Sequence, residues 1–280
     1  MNIGQEEPLP CVRYDRKLVF PPLCAMVAGQ ESMLERSEAM PHPPIEIWFM
    51  TWIGSLGGIS GWLDSAMFLI LTNDLLKGVP FAAALLLLWA VPHPQHADRD
   101  RETVLLILLA TTLSLIVGRL IQNHIESPRP LMVPEIAAAF PPTFHTYRLD
   151  WNSFPSDHMA LYFAIALGVY QVRRSLGWVL MAWCLGGVGL ARSYTGYHYP
   201  LDLLGGVVVA VASVALIWQM QTWLRPGCTN VLSLASRYPA TAMTAAFLLC
   251  FQIATVFNTL RELGEFWRVS MHMIRTALLQ

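Results

Sequence analysis

Charge is what this 280-residue chain has least of: Asp, Glu, Lys and Arg make up 13% of it, against about 25% in an ordinary soluble protein. A soluble domain of this size cannot easily cover its surface with so few charges, whereas a chain wetted by lipid need not. A hydrophobic content of 55% and a mean hydropathy of +0.46 point the same way. Neither sign of charge is in surplus. With 18 basic and 19 acidic side chains the formal net charge is −1, which excludes the basic surface that nucleic acid requires. Cysteine is sparse and scattered. Cys11, Cys24, Cys184, Cys228 and Cys250 have no metal-ligand spacing, and Cys184 and Cys250 lie in apolar runs, where a thiol packs as a small hydrophobe. The opening 17 residues are polar and contain proline, so no cleavable leader is expected.

Long apolar runs are plentiful. They cover Gly78–Ala97, Thr103–Gly118 (continuing past Arg119 to Ile121), Met159–Val172, Ser175–Ala191, Leu203–Leu224 and Ala240–Leu260. Most have the roughly 20 residues that a helix needs to cross a hydrocarbon core of about 30 Å. Met159–Val172 is too short by itself, so its helix must take in the polar turn Ser156–His158, which recesses His158 inside protein. Ile45–Leu71 is apolar and rich in tryptophan and glycine, with Glu46 and Asp64 as its only charges; it is left open between a span, a re-entrant segment and an interfacial one. Leu18–Gly29 is too short to span. The expected fold is all-α: a polytopic membrane bundle of about six transmembrane helices. It divides into an N-terminal cytoplasmic or interfacial segment (1–44), a membrane core (45–224) and an extension (225–280) with one further span and an interfacial tail from Asn258.

The arginines orient the bundle. Arg99 and Arg101, Arg173 and Arg174, and Arg225 and Arg237 fall on one side if the runs alternate, and that side should be cytoplasmic. Three polar clusters then meet on the opposite face: SPRP (Ser127–Pro130), SFPSDH (Ser153–His158) and ARSYTGYHYPLD (Ala191–Asp202). His198 and Asp202 are four apart, which puts them on one helix face, where a carboxylate can hold one imidazole nitrogen and leave the other free as nucleophile or base. Arg129 and Arg192 present guanidinium forks suited to an anion with several oxygens. Ser156 or Asp157 can cap a helix whose first turn favours phosphate, and His158 at its mouth can donate a proton to a leaving oxygen. A bland reading fits the rest: Arg173 and Arg174 as headgroup anchors, and His42, His93, His96, His124, His145 and His272 as interfacial side chains. His93 and His96 have no third metal ligand near them.

The three clusters resemble the signature of the type 2 phosphatidic acid phosphatase (PAP2) superfamily. That pattern is Lys, six residues, Arg-Pro; then Pro-Ser-Gly-His; then Ser-Arg, five residues, His, three residues, Asp. Arg129-Pro130 matches the first part, Pro155–His158 the second, and Arg192, His198 and Asp202 the third with the spacing kept. The likeness covers roughly residues 60–220, and Asn152–His158 with Tyr194–Gly206 is most similar to the bacterial undecaprenyl-diphosphate phosphatase branch.

The resemblance implies that His198 attacks phosphorus, Asp202 orients it, and His158 first protonates the leaving lipid oxygen and then activates water. Arg129, Arg192 and Ser156 would hold the phosphoryl oxygens. No metal or organic cofactor is expected, and no cluster of carboxylates is placed to hold Mg²⁺. The partners implied are membrane lipids and an isoprenoid or glycerolipid phosphate, with no nucleic acid; the oligomeric state is left open. The expected place is a bacterial inner (cytoplasmic) membrane, with the site facing the periplasm or cell exterior.

The chain departs from the pattern at Gln122 for the lysine, Asp157 for the glycine and Ala191 for the leading serine. Arg119, three residues before Gln122 on the same helix face, is expected to reach in for the lysine. The likeness leaves four activities open: hydrolysis of undecaprenyl diphosphate, hydrolysis of phosphatidate or phosphatidylglycerol phosphate, a lipid phosphotransferase, and a non-catalytic binding or transport protein.

Overall fold

The computed structural model describes residues 42–92, 95–146 and 152–258, together with Trp267 and Met271. Residues 1–41 of the expected N-terminal segment, His93, His272 and almost all of the interfacial tail lie outside the described residues. Among those described, every regular element is helical, and extended pairing is confined to one bridge, Pro128 with Asn152.

Ile45–Leu71 resolves into two helices, α1 (Pro44–Gly54) and α2 (Gly61–Thr72), joined through Gly58 at φ +84°, a backbone state that glycine adopts without penalty. With 11 and 12 residues, each is about 17–18 Å long and does not cross a bilayer by itself. The short α3 (Asp74–Lys77) starts at Asn73, whose side chain accepts the Leu75 N–H at 2.9 Å. It leads into α4 (Val79–Ala90), and α5 (Ala97–His124) then runs 28 residues. A loop carrying α6 (Pro134–Ala137) and two 3₁₀ turns precedes α7 (Asp157–Val172). Next comes one continuous helical rod: α8 (Arg174–Trp183), a π-helical stretch (Cys184–Gly189) and α9 (Leu190–Tyr194). α10 (Pro200–Gln219), α11 (Gln221–Arg237) and α12 (Pro239–Ala254) complete the described chain.

Ala97–His124, Arg174–Tyr194 and Pro200–Gln219 are each long and apolar enough to cross a membrane; Gly61–Thr72, Val79–Ala90 and Pro239–Ala254 are shorter apolar helices. On α10 the outward residues Leu201, Leu204, Val208 and Val211 are exposed at three- and four-residue steps, an apolar stripe of the kind lipid covers. α7 is different. It is buried on nearly every side, with α5, α8 and α10 packed around it. That is why a 16-residue helix, about 24 Å long, serves as the axis: it faces protein rather than lipid.

The helices have two distinct ends. At one, Arg173 donates to the Val91 carbonyl (2.6 Å), Arg101 to the Trp89 carbonyl (3.4 Å), and Arg225 pairs with Glu102 (2.8 Å). At the other stand the C-terminus of α5, the N-terminus of α7, the end of α9 and the start of α10. The described helices after 220 pack back on the bundle: α11 lies against α5, and α12 against α4. The α12 end reaches the core, where the Ala254 carbonyl accepts the Tyr162 hydroxyl at 3.0 Å.

Candidate active site

Backbone hydrogen bonds tie each of the three polar clusters to the other two. Ser153 N–H donates to the Ser127 carbonyl (2.8 Å), and their hydroxyls meet at 2.9 Å, joining SPRP to SFPSDH. Ser156 N–H donates to the Asp202 carbonyl (3.0 Å), joining the second cluster to the third. Leu131 N–H donates to the Gly196 carbonyl (3.2 Å), joining the first to the third. Gly196 has φ +77°, and a Cβ there would stand 2.8 Å from the Leu131 side chain, so the crossing needs glycine.

His198 and Asp202 are almost wholly buried, at 0% and 1% exposure. His198 Nδ1 lies 3.4 Å from Asp202 Oδ2, close but off hydrogen-bond alignment. The same carboxylate oxygen accepts the Tyr199 N–H at 2.8 Å, so Asp202 also caps α10. On the far side of the ring, Arg129 Nη1 stands 3.1 Å from His198 Nε2 and donates to the Tyr197 carbonyl at 3.0 Å. A guanidinium can only donate, so the Nε2 facing it is the lone-pair nitrogen and Nδ1 carries the proton toward Asp202. Burial first, then the charges of Arg129 and Arg192, holds the His198 imidazole well below the usual histidine range, which keeps the ring neutral.

Arg192, His158 and Ser156 line the same end, all buried. Arg192 Nε, His158 Nε2 and Ser156 Oγ are enclosed polar atoms without a protein hydrogen-bond partner. Such atoms are rare in folded proteins, and three of them beside Arg129 and His198 suit an anion with several oxygens. Ser156 occupies the N-cap position of α7 but its hydroxyl makes no capping bond. Of the two expected caps the Ser156 one is not made, which leaves that hydroxyl for other partners.

Two expected phosphate contacts are turned elsewhere. Arg119 Nη2 donates to Asp157 Oδ2 (2.7 Å) and its Nη1 to Gln122 Oε1 (2.6 Å). Gln122 Nε2 donates to the Asn152 carbonyl (3.0 Å), and Asn152 Nδ2 returns a bond to the Gln122 carbonyl (2.9 Å). The remaining Asp157 oxygen, Oδ1, meets His158 Nδ1 at 2.8 Å.

Residues outside the motifs also converge here. Glu46 of α1 accepts the Leu201 N–H (2.9 Å) at the start of α10 and pairs with His42 (3.2 Å). His42, expected at an interface, instead stacks on Tyr199 with ring centroids 3.7 Å apart. Asp64 of α2 accepts the Tyr194 hydroxyl at 2.7 Å. The two charges of that apolar stretch thus fasten α1 and α2 to the third cluster. Lys77, which with Lys17 completes the chain's lysines, is buried at 7% exposure and paired with Asp74 at 2.9 Å. Burial, aided by the charge of Arg192 and opposed by Asp74, lowers its ammonium below the usual lysine value. The signal in the sequence was an isolated ion in a chain poor in charge. Among the described residues no group of three His, Cys, Asp or Glu is arranged to hold a metal ion.

Comparison with known proteins gives concordant matches. The sequence pattern of the PAP2 superfamily matches residues 103–226. Undecaprenyl-diphosphatase BcrC of Bacillus subtilis (strain 168) is 31% identical over 164 residues, covering 59% of this chain and 78% of that protein. The putative undecaprenyl-diphosphatase YbjG of Escherichia coli (strain K12) is 29% identical over 179 residues, covering 58% and 84%. The crystal structure of Aquifex aeolicus LpxE superposes with a TM-score of 0.50 at 19% identity, covering 65% of this chain and 99% of that one, a likeness of fold.

Proposed function

The chain belongs to the PAP2 superfamily and is a membrane lipid phosphatase; from that premise we propose that it hydrolyses a polyprenyl diphosphate, undecaprenyl diphosphate, to the monophosphate through a phosphohistidine. The observation that carries this reading is the convergence of His198, Asp202, His158, Arg129, Arg192 and Ser156 at one end of the bundle, with the Nε2 lone pair of His198 turned toward Arg129. The modest identity to undecaprenyl-diphosphatase BcrC and to the putative undecaprenyl-diphosphatase YbjG supports the choice of lipid.

In this reading the His198 lone pair attacks the terminal phosphorus. Arg129 leaves Nε2 for a phosphoryl oxygen, and Arg192 and Ser156 take others, so that fixed donors meet the charge of the transition state. The bond from phosphorus to the bridging oxygen breaks, and His158 gives that oxygen a proton as the lipid monophosphate departs. His158 then removes a proton from water while the water oxygen attacks phosphorus, releasing phosphate and restoring His198. The site faces away from the cytoplasm, because the opposite end gathers Arg99, Arg101, Arg173 and Arg225. Residues 45–224 form the catalytic core, with 1–44 and 225–280 as its N-terminal segment and extension.

The test is phosphate release from undecaprenyl diphosphate, phosphatidate and phosphatidylglycerol phosphate by the purified chain in detergent with EDTA. Turnover of the diphosphate should exceed that of the other two. His198→Ala should fall by more than about 10³-fold and His158→Ala by about 10²–10⁴-fold. A labelled, acid-labile and base-stable phosphoprotein should form in wild type and be absent from His198→Ala. Preference for a glycerolipid would displace the substrate assignment; full activity of His198→Ala would end the mechanism.

A further inference from the structure

Asp157 stands where the family pattern has glycine, and Gln122 where it has lysine. A carboxylate beside a phosphate subsite should repel the substrate, and loss of a lysine should weaken its hold. Each departure looks costly alone, yet the structure joins them. One Asp157 oxygen accepts from Arg119 at 2.7 Å and the other meets His158 Nδ1 at 2.8 Å. Arg119 in turn donates to Gln122 at 2.6 Å, and Gln122 to the Asn152 carbonyl at 3.0 Å. A glutamine is what this chain requires at 122, since it accepts from the guanidinium with one atom and donates to the loop with the other. A lysine there would present only donors and a like charge to Arg119. A glycine at 157 would leave His158 Nδ1 and Arg119 without this shared partner.

We propose that Asp157 is a positioning residue for His158, charge-balanced by Arg119, and that this pair replaces the lysine and glycine of the family pattern, so that Arg119 serves the site through Asp157 rather than by touching phosphate. The proposal rests on His158 being the general acid. Asp157 accepts the Nδ1 proton, which turns Nε2, enclosed and without a protein partner, toward the leaving oxygen. When Nε2 also carries a proton, the carboxylate offsets the ring's positive charge beside Arg192 and Lys77. The Nε2 proton passes to the leaving oxygen as its bond to phosphorus breaks, and the water proton returns to Nε2 in the second step. Arg119 keeps the Asp157 charge from acting on the incoming anion.

The experiment has a binding arm and a turnover arm, both on the full chain in detergent. Orthovanadate affinity is measured for wild type, Arg119→Ala, Asp157→Gly and Arg119→Ala/Asp157→Gly. Arg119→Ala, which strands the carboxylate, should weaken binding about ten-fold, and the double variant should return to within about three-fold of wild type. If the double variant binds no better than Arg119→Ala, the arginine touches the anion directly and the proposal falls. Asp157→Asn is then compared on phosphatidate, whose alkoxide leaves poorly, and p-nitrophenyl phosphate, whose phenolate leaves well. Its single-turnover rate of phosphoenzyme formation should drop about ten-fold or more on the first and less than about three-fold on the second, because only the first needs the acid in that step. Equal losses on both would overturn the positioning role. If wild type releases no phosphate while the vanadate cycle still shows recovery, the hydrolase reading fails and the charge-balanced pair stands.

Discussion

His198 combines two properties that oppose each other in water: it is neutral, and it is held against a carboxylate. Burial with Arg129 and Arg192 nearby keeps a second proton off the ring. The neutral nucleophile therefore persists into acid, and the acid limb of kcat/KM set by His198 should fall below the ordinary histidine value of about 6.5. The same shift has a stability consequence. Above about pH 6.5 neither the folded nor the unfolded state protonates this ring, so it contributes no slope. Below that, the unfolded chain binds the proton and the folded one does not, so stability declines as pH falls. Thermal unfolding from pH 7 to 5 should show a shallower decline in His198→Gln than in wild type. Asp202 also has separable roles. Asp202→Asn keeps an acceptor for the Tyr199 N–H but loses the charge, so activity should fall about 10²–10⁴-fold with little change in Tm. Asp202→Ala should lose the cap as well, about 0.5–2 kcal/mol, seen as a lowered Tm.

At the scale of elements, the site depends on how closely α7 approaches α10. Gly206 permits it: a Cβ there would stand 2.5 Å from the Ser156 carbonyl and 2.6 Å from Met159 Cβ. Gly206→Ala must push the N-terminus of α7, with Ser156 and His158, off α10. The expected cost is about 1–3 kcal/mol in stability, with kcat falling at least about ten-fold because a shift of this size misplaces the acid. Circular dichroism melts and phosphate release check both. A second fastening is the pairing of Ser127 with Ser153 and of Gln122 with Asn152. Asn152→Ala removes the side-chain bonds to Gln122 and Ser127. It should cost about 1–3 kcal/mol, with KM and kcat both affected since the first two clusters come loose together.

At the scale of the whole molecule, the chemistry lies at one end of the bundle and the loop arginines Arg99, Arg101, Arg173 and Arg225 at the other. Arg225→Ala breaks a pair with Glu102 at 2.8 Å whose side chains are 26% and 16% exposed. Its loss should leave kcat within about two-fold and cost at most about 1 kcal/mol, because a partly solvated pair contributes little. Truncation after Met220 should behave differently. α12 covers α4, and its last carbonyl accepts the Tyr162 hydroxyl one turn beyond His158, so the shortened chain should lose both Tm and activity.

Much of this was written locally in the chain. The apolar runs and their lengths fix helices, and the spacing of His198 to Asp202 fixes one helix face, because rise and turn are properties of a few residues of backbone. The alternation of the runs brought SPRP, PSDH and the Arg192–Asp202 connection to one end and Arg99, Arg101, Arg173 and Arg225 to the other. The sequence could not tell that Ile45–Leu71 breaks into two short helices, nor that Glu46 would reach Leu201 across 155 positions and Asp64 reach Tyr194 across 130. Nor could it single out Asp157, 38 residues away, as the carboxylate that Arg119 meets. Those contacts depend on the paths of loops and on the packing around α7. Where a charged side chain goes in a dry interior is decided by which opposite charge or carbonyl the fold brings within about 3 Å, and only the assembled bundle sets that.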